Sequence, residues 1–168
     1  MQRRQFLQTS AALSVTLLSG VALFGFGRPA ESAEGDFRFK LTDEEWRKKL
    51  TPDQYTVLRQ EGTERPFSSQ LNHNEKQGTY SCAGCDTPVY TSDTKFDSGT
   101  GWPSFYAAIA GNVGNTTDYK LVYPRTEEHC ATCGGHLGHV FDDGPAPTGK
   151  RHCINGVVLN FRENGTAS

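Results

Sequence analysis

Four of the five cysteines fall in two short pairs, Cys82-Ala83-Gly84-Cys85 and Cys130-Ala131-Thr132-Cys133. Two residues between thiols let one tight turn aim both sulfurs at a single ion. Two such turns supply four soft ligands in a tetrahedron, the closed geometry of a structural zinc site. Gly84 and Gly134-Gly135 ease the turns. The expectation is one structural Zn2+ held by Cys82, Cys85, Cys130 and Cys133. A pair of disulfides and a rubredoxin-type iron centre are the alternatives for the same thiols. The 44 residues from Asp86 to His129 exceed the spacing of a common zinc ribbon. A sheet must therefore bring the two turns together.

The fifth thiol, Cys153, lies in Arg151-His152-Cys153-Ile154-Asn155. A lone cysteine in an apolar run is commonly a small buried hydrophobe. Here two cationic side-chain types precede it, and neighbouring cations favour the thiolate. His136-Leu137-Gly138-His139 follows the second cysteine pair, so the turn that holds a metal also fixes two imidazoles. They are either further metal ligands or acid–base groups, and four thiolates already fill the metal's shell. A thiolate, histidines and an asparagine are the parts for nucleophilic and acid–base chemistry at sulfur. Alternation along a strand puts His136 and His139 on opposite faces, although Gly138 permits a bulge that brings both inward. His73 and His129 lack such context and read as surface or loop residues.

The elements that must position these groups are legible in part. Thr42-Asp43-Glu44-Glu45 and Thr51-Pro52-Asp53-Gln54 are two capping boxes, the second with proline at the first helical position and Gly62 as a stop. Trp46, Leu50, Tyr55 and Leu58 are the apolar positions of these helices. Beyond Gly62 come short apolar runs separated by turn formers. Tyr80, Val89-Tyr90, Tyr119-Leu121-Tyr123, Val140-Phe141 and Cys153 to Phe161 read as strands. Gly111-Asn112, Gly114-Asn115 and residues 142–149 read as turns. The fold class expected is mostly β: two antiparallel sheets with short N-terminal helices, stapled by the four-cysteine zinc site.

Composition sets the outer bounds. The chain has 168 residues, 35% hydrophobic and 21% charged, with a formal charge of −2. That balance excludes a disordered chain and leaves no electrostatic footprint for nucleic acid. Arg3-Arg4-Gln5-Phe6-Leu7 precedes a short, uncharged apolar stretch over 11–26. A basic start followed by such a stretch is an export signal, and the paired arginines resemble the twin-arginine type. Residues 1–33 are assigned to this signal and 34–168 to the folded domain. Removing the signal takes three arginines and one glutamate, leaving a net charge of −4. The expected destination is the periplasm, with a thylakoid lumen as the alternative and membrane tethering if the signal stays uncleaved.

Five blocks together carry a family resemblance: Gly78-Thr79-Tyr80-Ser81-Cys82, Lys95-Phe96-Asp97-Ser98-Gly99, Gly101-Trp102-Pro103-Ser104-Phe105, Gly134 to Phe141, and Arg151 to Asn155. Their order resembles the B-type methionine-(R)-sulfoxide reductases over nearly all of Phe39 to Phe161. The resemblance implies two antiparallel sheets, with zinc remote from the reactive thiol. It implies Cys153 as nucleophile, His136 or His139 as proton donor, and a sulfenic acid intermediate. It also implies Trp102 and Phe105 as the apolar wall for the substrate methyl group, with Asn155 and Arg151 orienting polar groups and biasing the thiol. Many members carry a resolving cysteine where this chain has Thr100. With the other thiols claimed by metal, the expectation is a one-cysteine enzyme recycled by an external thiol. Its partners are oxidised proteins or peptides and that reductant, and a monomer is expected. His152 stands where tyrosine is common and Gly156 where serine is common. A zinc-supported binding module without catalysis and a Cys-x-x-Cys thiol–disulfide oxidoreductase are the rival readings. The first has no need of Cys153, His136, His139 and Trp102 together, and the second lacks its thioredoxin-like context.

Overall fold

The computed structural model describes residues 35–121 and 123–165. The assigned export signal, residues 1–33, lies outside the described residues. Among the described residues no helix is long and apolar enough to cross a membrane.

Two short helices open the fold, α1 (Asp43–Lys49) and α2 (Pro52–Gln60). Both start on complete capping boxes: Thr42 and Thr51 accept from the backbone at Glu45 and Gln54, whose side chains reach back to the cap amides. Acidic residues fill the first turn of α1 and basic ones its last, which suits the helix dipole. Gly62 does not take the left-handed position that ends α2. Glu61 does, at φ 53°.

Among the described residues nine strands follow: β1 (Gly78–Cys82), β2 (Pro88–Thr91), β3 (Lys95–Phe96), β4 (Ser104–Phe105), β5 (Val113–Asp118), β6 (Arg125–Cys130), β7 (His136–Phe141), β8 (Arg151–Ile154) and β9 (Leu159–Glu163). They form two antiparallel sheets, ordered β2-β1-β9 and β3-β4-β8-β7-β6-β5. Aromatic side chains join the sheets. Tyr90 stacks on Phe105 with centroids 4.3 Å apart, and Tyr80 packs edge-on against Phe105 and tilts against Phe161. Each buried tyrosine hydroxyl is satisfied: Tyr80 accepts from Asn74, and Tyr90 donates to the fully buried Glu128 at 2.5 Å.

Three expected elements differ. Tyr119, Leu121 and Tyr123 are not a strand. They occupy the connection between β5 and β6 and are 75%, 49% and 61% exposed. An alternating apolar pattern marks a buried face only where a second layer covers it. Gly114-Asn115 is not a turn but part of β5, where a Cβ on Gly114 would lie 2.5 Å from the His129 ring. Residues 153–161 are not one strand either. A single 3-10 turn at Gly156–Val158 splits the run into β8 of the large sheet and β9 of the small one. A side chain on Gly156 would fall 2.0 Å from Ser69 Oγ, so the chain passes close beneath the 63–69 segment there.

Candidate functional site

The two cysteine pairs converge. Cys82 ends β1 and Cys130 ends β6, each followed by a tight turn that returns the second thiol. Cys82 and Cys133 sulfurs are 3.7 Å apart, Cys85 and Cys130 3.5 Å, and all four lie within 4.8 Å of one another. None is in a disulfide. A tetrahedral ion with sulfurs at about 2.3 Å places them roughly 3.8 Å apart, so the donor set fits one tetrahedral metal ion. Trp46 and Leu58 of the helices pack against the glycines of the two turns, and the Arg59 guanidinium donates to the Cys133 carbonyl at 3.2 Å. The helical cap thus closes over the sulfur cluster.

The fifth thiol lies in the large sheet with no sulfur beside it. Strand register lays Phe96, Ser104, Cys153, His139, Glu127 and Thr116 side by side across six strands. Direct cross-strand partners share a face, so Cys153 stands between Ser104 and His139. Arg151 shares that face. It reaches over the Phe141 ring at 4.4 Å and grips both oxygens of Asp143 at 2.9 Å each. His152 points the opposite way, to Glu128 at 2.7 Å. Burial pushes the Cys153 thiol up, while the Arg151 guanidinium and the Thr100 hydroxyl, 4.0 Å away, pull it down. Burial leads this contest.

Both candidate imidazoles face the same side. The pairing of β6 with β7 shifts register at Glu128/His129, and the extra residue on β7 rotates His136 round to lie with its ring centroid 5.4 Å from that of His139. Gly138 serves another need: any side chain there would meet the Cys153 carbonyl at 2.0 Å. Each ring is backed by a carboxylate. His136 Nδ1 pairs with Glu127 at 2.8 Å, and His139 Nε2 with Asp118 at 2.9 Å. Burial opposes the Asp118 charge, but the Lys120 amide, His139 and Arg125 hold its carboxyl well below the usual range. Burial likewise pushes His139 down, against the pull of Asp118. Burial also works against the Glu127 charge, yet His136 and Thr116 keep its carboxyl below its ordinary value.

The remaining expected residues divide. Trp102 is partly exposed, with its indole N–H given to the Glu64 carbonyl at 3.1 Å. Asn155 is buried and binds the Leu137 carbonyl through both its backbone and side-chain N–H groups, at 2.9 Å each. Phe105 is fully buried in the aromatic core and presents no surface to a ligand. Its one-residue step from Ser104 turns it to the core face, away from the side that Cys153 and His139 share. His129 is buried within β6 with Nδ1 unpartnered, not on the surface, while His73 is exposed. The supporting acids Asp118, Glu127 and Glu128 escaped the sequence reading, since a carboxylate in a strand looks like a solvated face until its partner strand is known. Alternation in Arg125–Cys130 gave no separate sign of them.

Together the groups can hold a thiol beside a guanidinium that favours its thiolate, and protonate an oxygen leaving a neighbouring atom. A family model described as the SelR domain matches residues 50–163. The peptide methionine sulfoxide reductase MsrB of Methanosarcina barkeri is 58% identical over 122 residues, 72% of this chain and 86% of that protein. The MsrB of Leptospira interrogans is 50% identical over 129 residues, covering 76% and 98%. The chloroplastic peptide methionine sulfoxide reductase B1 of Oryza sativa is 54% identical over 129 residues, 76% of this chain and 60% of that longer protein.

Proposed function

This chain belongs to the SelR-domain family of peptide methionine sulfoxide reductases, and we propose that it reduces methionine-(R)-sulfoxide in oxidised proteins or peptides through Cys153. The observation that carries the reading is the cross-strand placement of Cys153 beside His139, with Arg151 on the same face. The Cys153 thiolate attacks the sulfoxide sulfur. The oxygen takes a proton from His139, with His136 beside it, and passes to the cysteine as a sulfenic acid while methionine leaves as the thioether. A carboxylate behind each ring supports the imidazolium that donation requires. Two equivalents of an external thiol then restore Cys153, leaving their own disulfide and water. Trp102 supplies the apolar wall for the substrate methyl group. Thr100, whose hydroxyl lies 4.0 Å from the sulfur, cannot form a disulfide, which supports external recycling.

In this reading the four-cysteine cluster holds Zn2+. With four protein ligands it leaves no open position, and the metal contributes folding energy rather than chemistry. The chain acts as a monomer. Residues 1–33 deliver it beyond the membrane, to the periplasm; Arg3→Lys with Arg4→Lys tests this by retaining the protein in the cytoplasmic fraction.

The central test is single-turnover reaction of the reduced protein with a methionine-(R)-sulfoxide peptide, the (S)-epimer and a Cys153→Ser variant running beside it. The expected result is one methionine per protein without added reductant, from the R form only and with Cys153 only. No methionine from either epimer overturns the reading and favours a binding module. An intramolecular disulfide to Cys153 after turnover overturns external recycling.

A further inference from the structure

The segment between α2 and the 3-10 turn at Gln70–His73 carries no regular structure, yet it bonds both to the Trp102 loop and to the chain beyond Cys153. Glu64 makes four hydrogen bonds, and all land on those two segments. Its carbonyl accepts from the Trp102 indole at 3.1 Å. Its amide donates to Asn155 Oδ1 at 3.0 Å. Its carboxylate accepts from the amides of Gly156 at 2.5 Å and Val157 at 3.0 Å. Beyond Glu64 the same segment grips again: the Phe67 amide donates to the Gly101 carbonyl at 2.7 Å, and Ser69 packs on Gly156.

We propose that Glu64 is a positioning residue that sets the Trp102 indole relative to Cys153 and thereby fixes the width of the cleft that receives the sulfoxide's methyl group. This rests on the reading of Trp102 as that wall. The indole has a single N–H, and it is spent on a backbone oxygen. Ring orientation therefore follows the Glu64 backbone. That backbone has no helix or strand to hold it; its amide is held by Asn155, and its own side chain supplies two further bonds to the chain beyond Cys153. Burial pushes the Glu64 carboxyl up, and the two amides oppose the shift by favouring the charged form. Two directed amides at one carboxylate make the anchor a geometric constraint rather than a loose ionic contact. Because the amides belong to residues three and four beyond Cys153, the wall and the nucleophile share one reference point.

The test compares Glu64→Ala and Glu64→Gln with the wild-type full-length protein, and a parallel set that also carries Trp102→Phe supplies the emission of Trp46, the other tryptophan, for subtraction. In Glu64→Ala, KM for the methionine-(R)-sulfoxide peptide rises about tenfold with kcat within about twofold, the signature of lost binding. Acrylamide quenching of Trp102 rises, and alkylation of Cys153 by iodoacetamide, which needs no indole, stays at the wild-type rate. Glu64→Gln keeps one carbonyl acceptor and recovers part of both KM and quenching. Unchanged KM and quenching in Glu64→Ala overturn the proposal, as does an equal loss in kcat and alkylation, which marks a merely structural role. If the wild-type protein yields no methionine, the reductase reading fails, and the quenching of Trp102 still decides whether Glu64 orients the indole.

Discussion

Two regions of this molecule hold the same side chain under opposite conditions. In one, four thiols lie against one another beneath a helical cap, with the Thr87 hydroxyl 3.1 Å from Cys85. In the other, one thiol has no sulfur neighbour and is flanked by an imidazole across one strand, a serine across the other, and a guanidinium on its own. Convergence makes the first set a metal clamp, since several thiolates concentrate charge that an ion neutralises. Isolation among titratable groups suits the second to the nucleophilic role we propose for it. The difference lies in the neighbours, and β6 and β7 carry both: the clamp turn at Cys130–Cys133 runs straight into His136.

The contrast is open to breaking. Stripping metal from the clamp, with a chelator or by Cys130→Ser, is expected to unfold the domain, since structural zinc contributes about 10 kcal/mol or more in small domains; loss of far-ultraviolet dichroism reads this out, and a folded apo-protein refutes the clamp. Cys153→Ser is expected to leave the melting temperature unchanged while methionine formation drops by about 10³-fold or more. Losing the imidazole across the strand, in His139→Asn, is expected to cost about 10²-fold in kcat. Asp118→Asn should cost less, because it removes support for the imidazolium and keeps the ring. The smallest effect is a shift in pH dependence. Burial raises the Cys153 thiol and Arg151 opposes it, so Arg151→Met moves the thiol higher. The alkylation rate, which rises with pH as thiolate forms, should then rise at a higher pH than in the wild type; a move to lower pH contradicts the role given to the guanidinium.

Adjacent spacing made the clamp readable before any fold was known. Two Cys-x-x-Cys turns announce four ligands because each turn is local, and the capping boxes at Thr42 and Thr51 are local in the same sense. The blocks around Trp102, His136 and Cys153 identified the family because their residue types are specific in order, whatever their distances. Facing directions were not available. Whether His136 and His139 point the same way depends on one extra residue in the pairing of β7 with β6, and a register shift has no signature in either strand alone. Phe105 and Ser104 are neighbours in sequence, and only the sheet decided that the phenyl ring goes to the core while the serine lies beside Cys153. Asp118, Glu127 and Glu64 became partners of His139, His136 and Trp102 across 21, 9 and 38 residues of chain. The sequence by itself determined which atoms could do the chemistry, through local spacing and side-chain identity. Tertiary structure alone decided which of them meet, because hydrogen bonds between distant segments form only where strand register and close backbone packing bring them within about 3 Å.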